Sequence, residues 1–424
     1  MSVREGYKQT EIGVIPEEWE VVKLADICDV KGGKRLPKGE KLISIETAHP
    51  YIRVSDMYMG GIRVEDIMFV PEEVQPKIKN YTISKNDLFI SVAGTLGLVG
   101  TVPTKLNGAN LTENADKLTN IQADRIYLLY VLMSDLIQNI IKKETTLNAQ
   151  PKLALTRIKT FLIPFPPLPE QRKIAAILSS VDKKIEAIDE RIAKTEKLKK
   201  GLMQKLLRDG IGHTEFKESE IGRIPKEWEV VKLDSLAKLV TKGTTPTTLG
   251  YSFQENGINF VKVESLDSDG HIDALKFAYI SEEANEAMRR SQIEEGDILY
   301  SIAGALGRLA IANNSILPAN TNQALSIIRL KNKMQNQYIY YFLSSNYIKR
   351  HIDRINVQMA QANLSLQNIK NFKIALPPLP EQKQIAKILS NTDNKLDTLR
   401  EKKTRYEQLK KGLMQKLLTG EVRV

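Results

Sequence analysis

Two short loops carry the residue types best suited to a polyanion. Lys31-Gly32-Gly33-Lys34-Arg35 and Lys242-Gly243-Thr244-Thr245-Pro246 mix glycine with cations or hydroxyls. That composition suits contacts to phosphates and to base edges. Gln150 and Gln361 stand in matching Ala-Gln pairs, followed two residues later by Lys152 and Asn363. Each glutamine either reads adenine or caps a local turn. Arg53 and Lys262 are also matched, and each either reaches into a groove or lies on a solvated strand face. The turn Ala93-Gly94-Thr95-Leu96-Gly97 returns as Ala303-Gly304-Ala305-Leu306-Gly307. Its amides, with Thr95 beside them, suit a phosphate, but a tight turn in which glycine relieves backbone strain is the favoured reading.

Signatures of catalysis are missing. The chain has neither a Gly-x-x-x-x-Gly-Lys-Ser/Thr phosphate loop nor a Gly-x-Gly-x-x-Gly fingerprint. His49, His213, His271 and His351 are scattered without ligand spacing, and the single Cys28 cannot build a zinc knuckle. Carboxylates are plentiful but form no recognisable acid–base pair. The expectation is a chain without catalytic residues and with no metal or cofactor of its own.

The loops are positioned by a scaffold that the sequence contains twice. Pro166 to Leu207 returns as Pro377 to Leu418. Each copy opens with prolines, which suit the first turn of a helix but not its interior, and with Glu170 or Glu381 at the positive end of the helix dipole. The Pro-Pro-Leu-Pro runs read as stiff hinges rather than as ligands of small recognition modules. Apolar residues follow at alternating steps of four and three: Ile174, Leu178, Val181, Ile185, Ile188 and Ile192 in the first copy. The second has Ile385, Leu389, Leu396, Leu399, Tyr406, Leu409 and Leu413. Such spacing predicts a coiled-coil seam on helices of about 40 residues, roughly 60 Å long, each partnered by the other copy.

The repeat extends beyond the helices. Thr10 to Leu24 returns as Ser219 to Leu233, carrying both tryptophans, Trp19 and Trp228. Asn86 to Gly97 matches Gly296 to Gly307, and Ala149 to Phe165 parallels Ala360 to Leu376. Between these landmarks Asp26–Lys85 and Ser235–Glu295 diverge, beyond a strand-like Tyr51–Ile62 against Phe260–Ile272. Short strands are expected at Asp87–Val92 and Asp297–Ile302, and helix over Ala123–Lys143 and Gln335–Ile355. One scaffold with variable inserts suggests one frame holding two different readers. The fold class that follows is α+β: two mixed globular parts joined by two long antiparallel helices, with an internal pseudo-twofold. The boundaries are a globular part over 1–165, a helix over 166–208, a second globular part over 209–376 and a second helix over 377–424. Asp209 to Lys217 is the linker.

Whole-chain properties agree with an intracellular class. The 424 residues are 42% apolar, enough for real cores. The lone cysteine rules out a disulfide framework and fits a reducing cytoplasm; the first residues lack a signal-peptide pattern, and no apolar run is long enough to cross a bilayer. Net charge is +11, and nearly all of the excess falls on the two repeated helices. It marks either a polyanion partner or a solvated helix face with cations near the negative end of the dipole.

The doubled Pro-Pro-Leu-Pro-Glu-Gln…Leu-Lys-Lys-Gly-Leu-Met-Gln-Lys-Leu-Leu helix and the doubled Ile-Gly-x-Ile-Pro-x-Glu-Trp-Glu-Val-Val-Lys-Leu entry resemble the specificity subunit of type I restriction–modification enzymes, over essentially the whole chain. The resemblance implies that each globular part is a target-recognition domain reading one half of a bipartite site in double-stranded DNA. It implies that the helices act as spacer and as docking surface for two methyltransferase subunits, which restriction and motor subunits join. S-adenosylmethionine, ATP and magnesium would belong to those partners only. One departure stands out: Thr321-Asn322-Gln323-Ala324-Leu325 looks like the family's usual pattern, whereas the first half has Glu113-Asn114-Ala115-Asp116-Lys117-Leu118. A coiled-coil adaptor that never touches DNA is the competing reading, disfavoured by the divergent inserts. A nuclease is weaker still, for want of metal-binding carboxylates.

Overall fold

The computed structural model describes residues 4–146, 152–357 and 363–424. It divides into two compact units, Met1–Asp189 with Glu401–Val424, and Glu190–Arg400. Both long helices form, α1 over Leu168–Asp209 and α2 over Leu379–Leu418, and each contributes one part to each unit. The units therefore cut across a division that gives each helix a segment of its own. The physical reason is packing: the start of a helix seals the domain that precedes it, and its end seals the other.

In unit 1 a four-stranded antiparallel sheet runs in the order Val99–Thr101, Leu88–Ser91, Ala115–Thr119, Asp29–Gly32. A second sheet runs Met68–Phe69, Pro50–Ile52, Ala109–Leu111, Thr82–Ile83, with its two central strands parallel. Leu88, Ile90 and Leu118 from the first sheet pack with Trp19, Tyr127 and Leu128, with Ile174 and Leu178 of α1, and with Leu417 and Leu418 of α2.

Unit 2 repeats the scheme. Its sheet runs Ala237–Lys242, Leu325–Leu330, Ile298–Ser301, Leu309–Ile311, and a three-stranded sheet runs Ala278–Ile280, Ile258–Val261, Ala319–Thr321. Ile385 and Leu389 of α2 enter its core with Trp228, and so do Leu206 and Leu207 of α1.

Several sequence expectations are refined. The helical stretch from Ala123 is two helices, Arg125–Met133 and Asp135–Thr146, broken where Ser134 turns extended; its hydroxyl donates to Val131 O at 2.6 Å. Tyr51–Ile62 is not one strand but Pro50–Ile52, a 3₁₀ turn at Val54–Asp56 and a short hairpin closed at Gly60, whose φ is +110°.

The helix seam is shared between two kinds of packing. Ile174, Leu178, Ile385 and Leu389 belong to the domain cores, a role that periodicity alone does not separate from helix pairing. Val181, Ile188 and Leu396 are buried, Ile185, Ile192, Leu399 and Tyr406 half-buried. Leu409, assigned to the seam by its spacing, is exposed. Within unit 1 the helix segments are antiparallel: Asp182 meets Lys410 and Asp189 meets Lys403, each at 2.7 Å. Within unit 2, Glu196 meets Arg400 at 2.9 Å and Lys199 meets Asp393 at 2.5 Å.

Candidate nucleic-acid interface

The loops singled out in unit 1 converge through backbone bonds. Lys34 N donates to Leu111 O at 2.8 Å, Val92 N to Asn114 O at 2.7 Å, and Leu153 N to Val92 O at 3.0 Å. Loops after three different strands, those bearing Lys34 and Arg35, Glu113, and Thr95, thus meet one another and the segment at Lys152 and Leu153. Lys31, Lys34, Arg35, Thr95 and Lys152 are all exposed. Unit 2 repeats two of these bonds, Ile302 N to Ala324 O at 2.8 Å and Leu364 N to Ile302 O at 2.9 Å, and joins its first loop by another, Gly243 N to Asn322 O at 3.1 Å. These bonds bring Lys242, Thr244, Thr245 and Asn363 to one end of the unit.

The Gly94 and Gly304 turns are the strain-relieving kind. Their φ values are +76° and +73°, and a buried serine pins each turn: Ser91 Oγ donates to Thr95 O and Ser301 Oγ to Ala305 O, both at 2.5 Å.

Arg53 does not stand free as a groove contact. Its guanidinium donates twice to Asp56, at 3.0 and 2.6 Å, and once to Asp66 O at 2.8 Å. This network, led by the bond to Asp56, holds its pKa above the ordinary arginine value. Lys262, matched to it, pairs with Glu264 at 2.9 Å. Lys31 pairs with Asp29 at 3.0 Å, and Lys34 stacks over Tyr81 with its ammonium 5.6 Å from the ring centre. Exposed pairs of this kind are weak and screened by salt, so the cations can be exchanged for phosphates. Gln150 and Gln361 lie outside the described residues.

The departure between the halves resolves in the strands. Ala109–Leu111 stands where Ala319–Thr321 does, and Ala115 where Leu325 does. Glu113 therefore corresponds to Gln323 and Asp116 to Ser326. Asp116 is buried with Oδ2 unpartnered, and desolvation raises its pKa to about 6 against the opposing charge of Lys152. Glu113, Gln323 and Asp116 lie in the two segments by which the halves depart from each other, but sequence alone assigns none of them a contact role. Only the strand register reveals that they sit beside the first loop.

A family model described as type I restriction modification DNA specificity domain matches residues 16–197 and again 225–410. The chain belongs to this family. It is 32% identical to a chain named for the specificity subunit of the MjaX type I restriction enzyme of Methanocaldococcus jannaschii, covering 99% of this chain and 97% of that one. The MjaVIII specificity subunit of the same organism is 30% identical, over 99% and 96%. Among solved structures, the S subunit of a type I restriction–modification system from M. genitalium shares the fold, with a TM-score of 0.59 at 18% identity over 98% of each chain. The family model thus matches twice, and each matched stretch ends within a long helix. No helix among the described residues is long and apolar enough to cross a membrane.

Proposed function

We propose that this specificity chain reads an asymmetric, interrupted site in double-stranded DNA, each unit reading one half. The observation that carries this reading is the convergence of equivalent loops in the two units, with different side chains at their tips. Lys34, Arg35 and Lys152 in one unit answer to Thr244, Thr245 and Asn363 in the other. Identical frames with different tips suit two different half-sites.

The basic helices set the gap between half-sites and dock two methyltransferase subunits, which restriction and motor subunits join. S-adenosylmethionine, ATP and magnesium chemistry belongs to those partners, and this chain supplies recognition alone.

Binding titrations on duplex DNA at several salt concentrations test the reading. Lys34→Ala and Lys242→Ala each remove one phosphate contact, so each lowers affinity and reduces the log–log salt slope by about one. Wild-type affinity and slope in both variants would count against this interface.

A further inference from the structure

Each unit carries one matched side-chain pair where its loops converge. In unit 1, Arg35 Nε lies 3.1 Å from Glu113 Oε1. In unit 2, Thr245 Oγ1 donates to Gln323 Oε1 at 2.5 Å. The pairs occupy the same two places in the fold. Glu113 and Gln323 each stand two residues beyond the corresponding strands that end at Leu111 and Thr321. Arg35 and Thr245 each stand two residues beyond a glycine that admits no side chain. A Cβ on Gly33 would collide with the carbonyl oxygen of Thr112, and one on Gly243 with that of Thr321. The first loop is thereby pressed flat on the second, and the residue two positions on is delivered to its partner.

Folding gives little reason for either pair. The Arg35 side chain is 76% exposed, and an ion pair in that setting contributes almost nothing to stability. Gln323 is exposed too. What the two pairs share is a constant position with a changing chemistry, on the face where the candidate contacts gather.

We propose that these pairs each read one base pair, and that their chemistry determines which. The proposal rests on the reading of the chain as a DNA specificity subunit. A guanidinium beside a carboxylate complements G·C: the fork donates to guanine O6 and N7 while the carboxylate accepts from the cytosine amino group. A carboxamide complements adenine, donating to N7 and accepting from the N6 amino group. The Thr245 hydroxyl occupies one lone pair of Gln323 Oε1, orients the amide plane and leaves the second lone pair for adenine. Arg35–Glu113 thus reads G·C, and Thr245–Gln323 reads A·T.

The test transplants the pairs within the full chain, co-expressed with its methyltransferase, and sequences methylated adenines. Arg35→Thr with Glu113→Gln changes one G·C to A·T in one half-site and leaves the other half intact. Thr245→Arg with Gln323→Glu makes the reverse change in the other half-site. Glu113→Ala, a milder change, relaxes selectivity at that one position by about fivefold or more, the scale of one lost base contact. Thermal melts show which variants fold, and Glu113→Ala carries the test for unit 1 if the double variant does not. Folded variants that retain the wild-type motif and selectivity overturn the proposal. A wild-type chain giving no two-part motif counts against the specificity reading itself, whereas an unaltered two-part motif in the variants counts only against these pairs.

Discussion

The indole N–H of Trp19 donates to the Glu170 carboxylate at 3.0 Å, across 151 residues of sequence. Trp228 and Glu381 make the same bond at 3.0 Å in unit 2. Each bond ties the entry of a domain to the first turn of its long helix. A second partner completes each: Arg423 Nε donates to Glu170 at 2.6 Å, and His213 Nε2 lies 2.9 Å from Glu381. Just before those partners, Gly420 and Gly210 adopt φ of +70° and +68°, and a side chain at either would strike the tryptophan region. The end of one helix is thus locked onto the entry of the domain it seals.

Replacing Glu170 by Leu leaves the Trp19 N–H buried without an acceptor. The cost is roughly 1–3 kcal/mol, confined to unit 1. Because each unit holds one tryptophan, denaturant unfolding followed by fluorescence in a Trp228→Phe background reads unit 1 alone. A midpoint unchanged from that background would refute the role given to Glu170.

Asp116 makes unit 1 sensitive to pH. Its folded pKa, about 6, lies above the ordinary value of 3.8 because burial disfavours the charged form. Its favourable contribution is therefore full below the unfolded value and is lost as pH rises through about 6. Asp116→Asn removes the ionisation, so the variant gains stability relative to wild type between pH 4 and pH 7, with a rising difference of about 1–3 kcal/mol. Urea unfolding across that range measures it, and a flat difference contradicts it.

Ile188 is buried on α1, opposite the segment of α2 that meets Asp182 and Asp189. Ile188→Asp places a charge in that apolar contact at a cost of several kcal/mol. Ile185, half-buried, tolerates the same change better. Unfolding midpoints of the two single variants should differ in that order; equal midpoints would mean that the seam does not discriminate between them.

Cys28 is buried, and burial, with the nearby Asp29 charge, pushes its thiol up to about 12. The thiolate needed for reaction is scarce. Labelling by a maleimide at pH 7.5 should be slow in the folded chain and fast in denaturant; rapid labelling of the native protein would contradict the packing.

The doubled frame was legible because it is written locally. Pro at the helix starts, a four-three apolar rhythm and a long copied segment specify α1 and α2 almost to the residue. The same rhythm did not show that Ile174 and Ile385 face domain cores, since an apolar stripe does not name its partner. The loops bearing Lys34 and Thr245 were found by composition. Their counterparts Glu113 and Gln323 were not, because contacts between residues nearly eighty positions apart depend on strand register. The partners of Arg53 were hidden for a related reason: whether it reaches a groove or lies on a strand face is read from sequence without Asp56 and Asp66 beside it.

The central claim, two different readers on one frame, is tested most directly by sequencing methylated adenines in cells that carry this chain with its methyltransferase. The expected result is a chain-dependent motif of two unlike parts separated by a gap of unspecified bases. A continuous palindrome, or methylation unaffected by removing the chain, would contradict it.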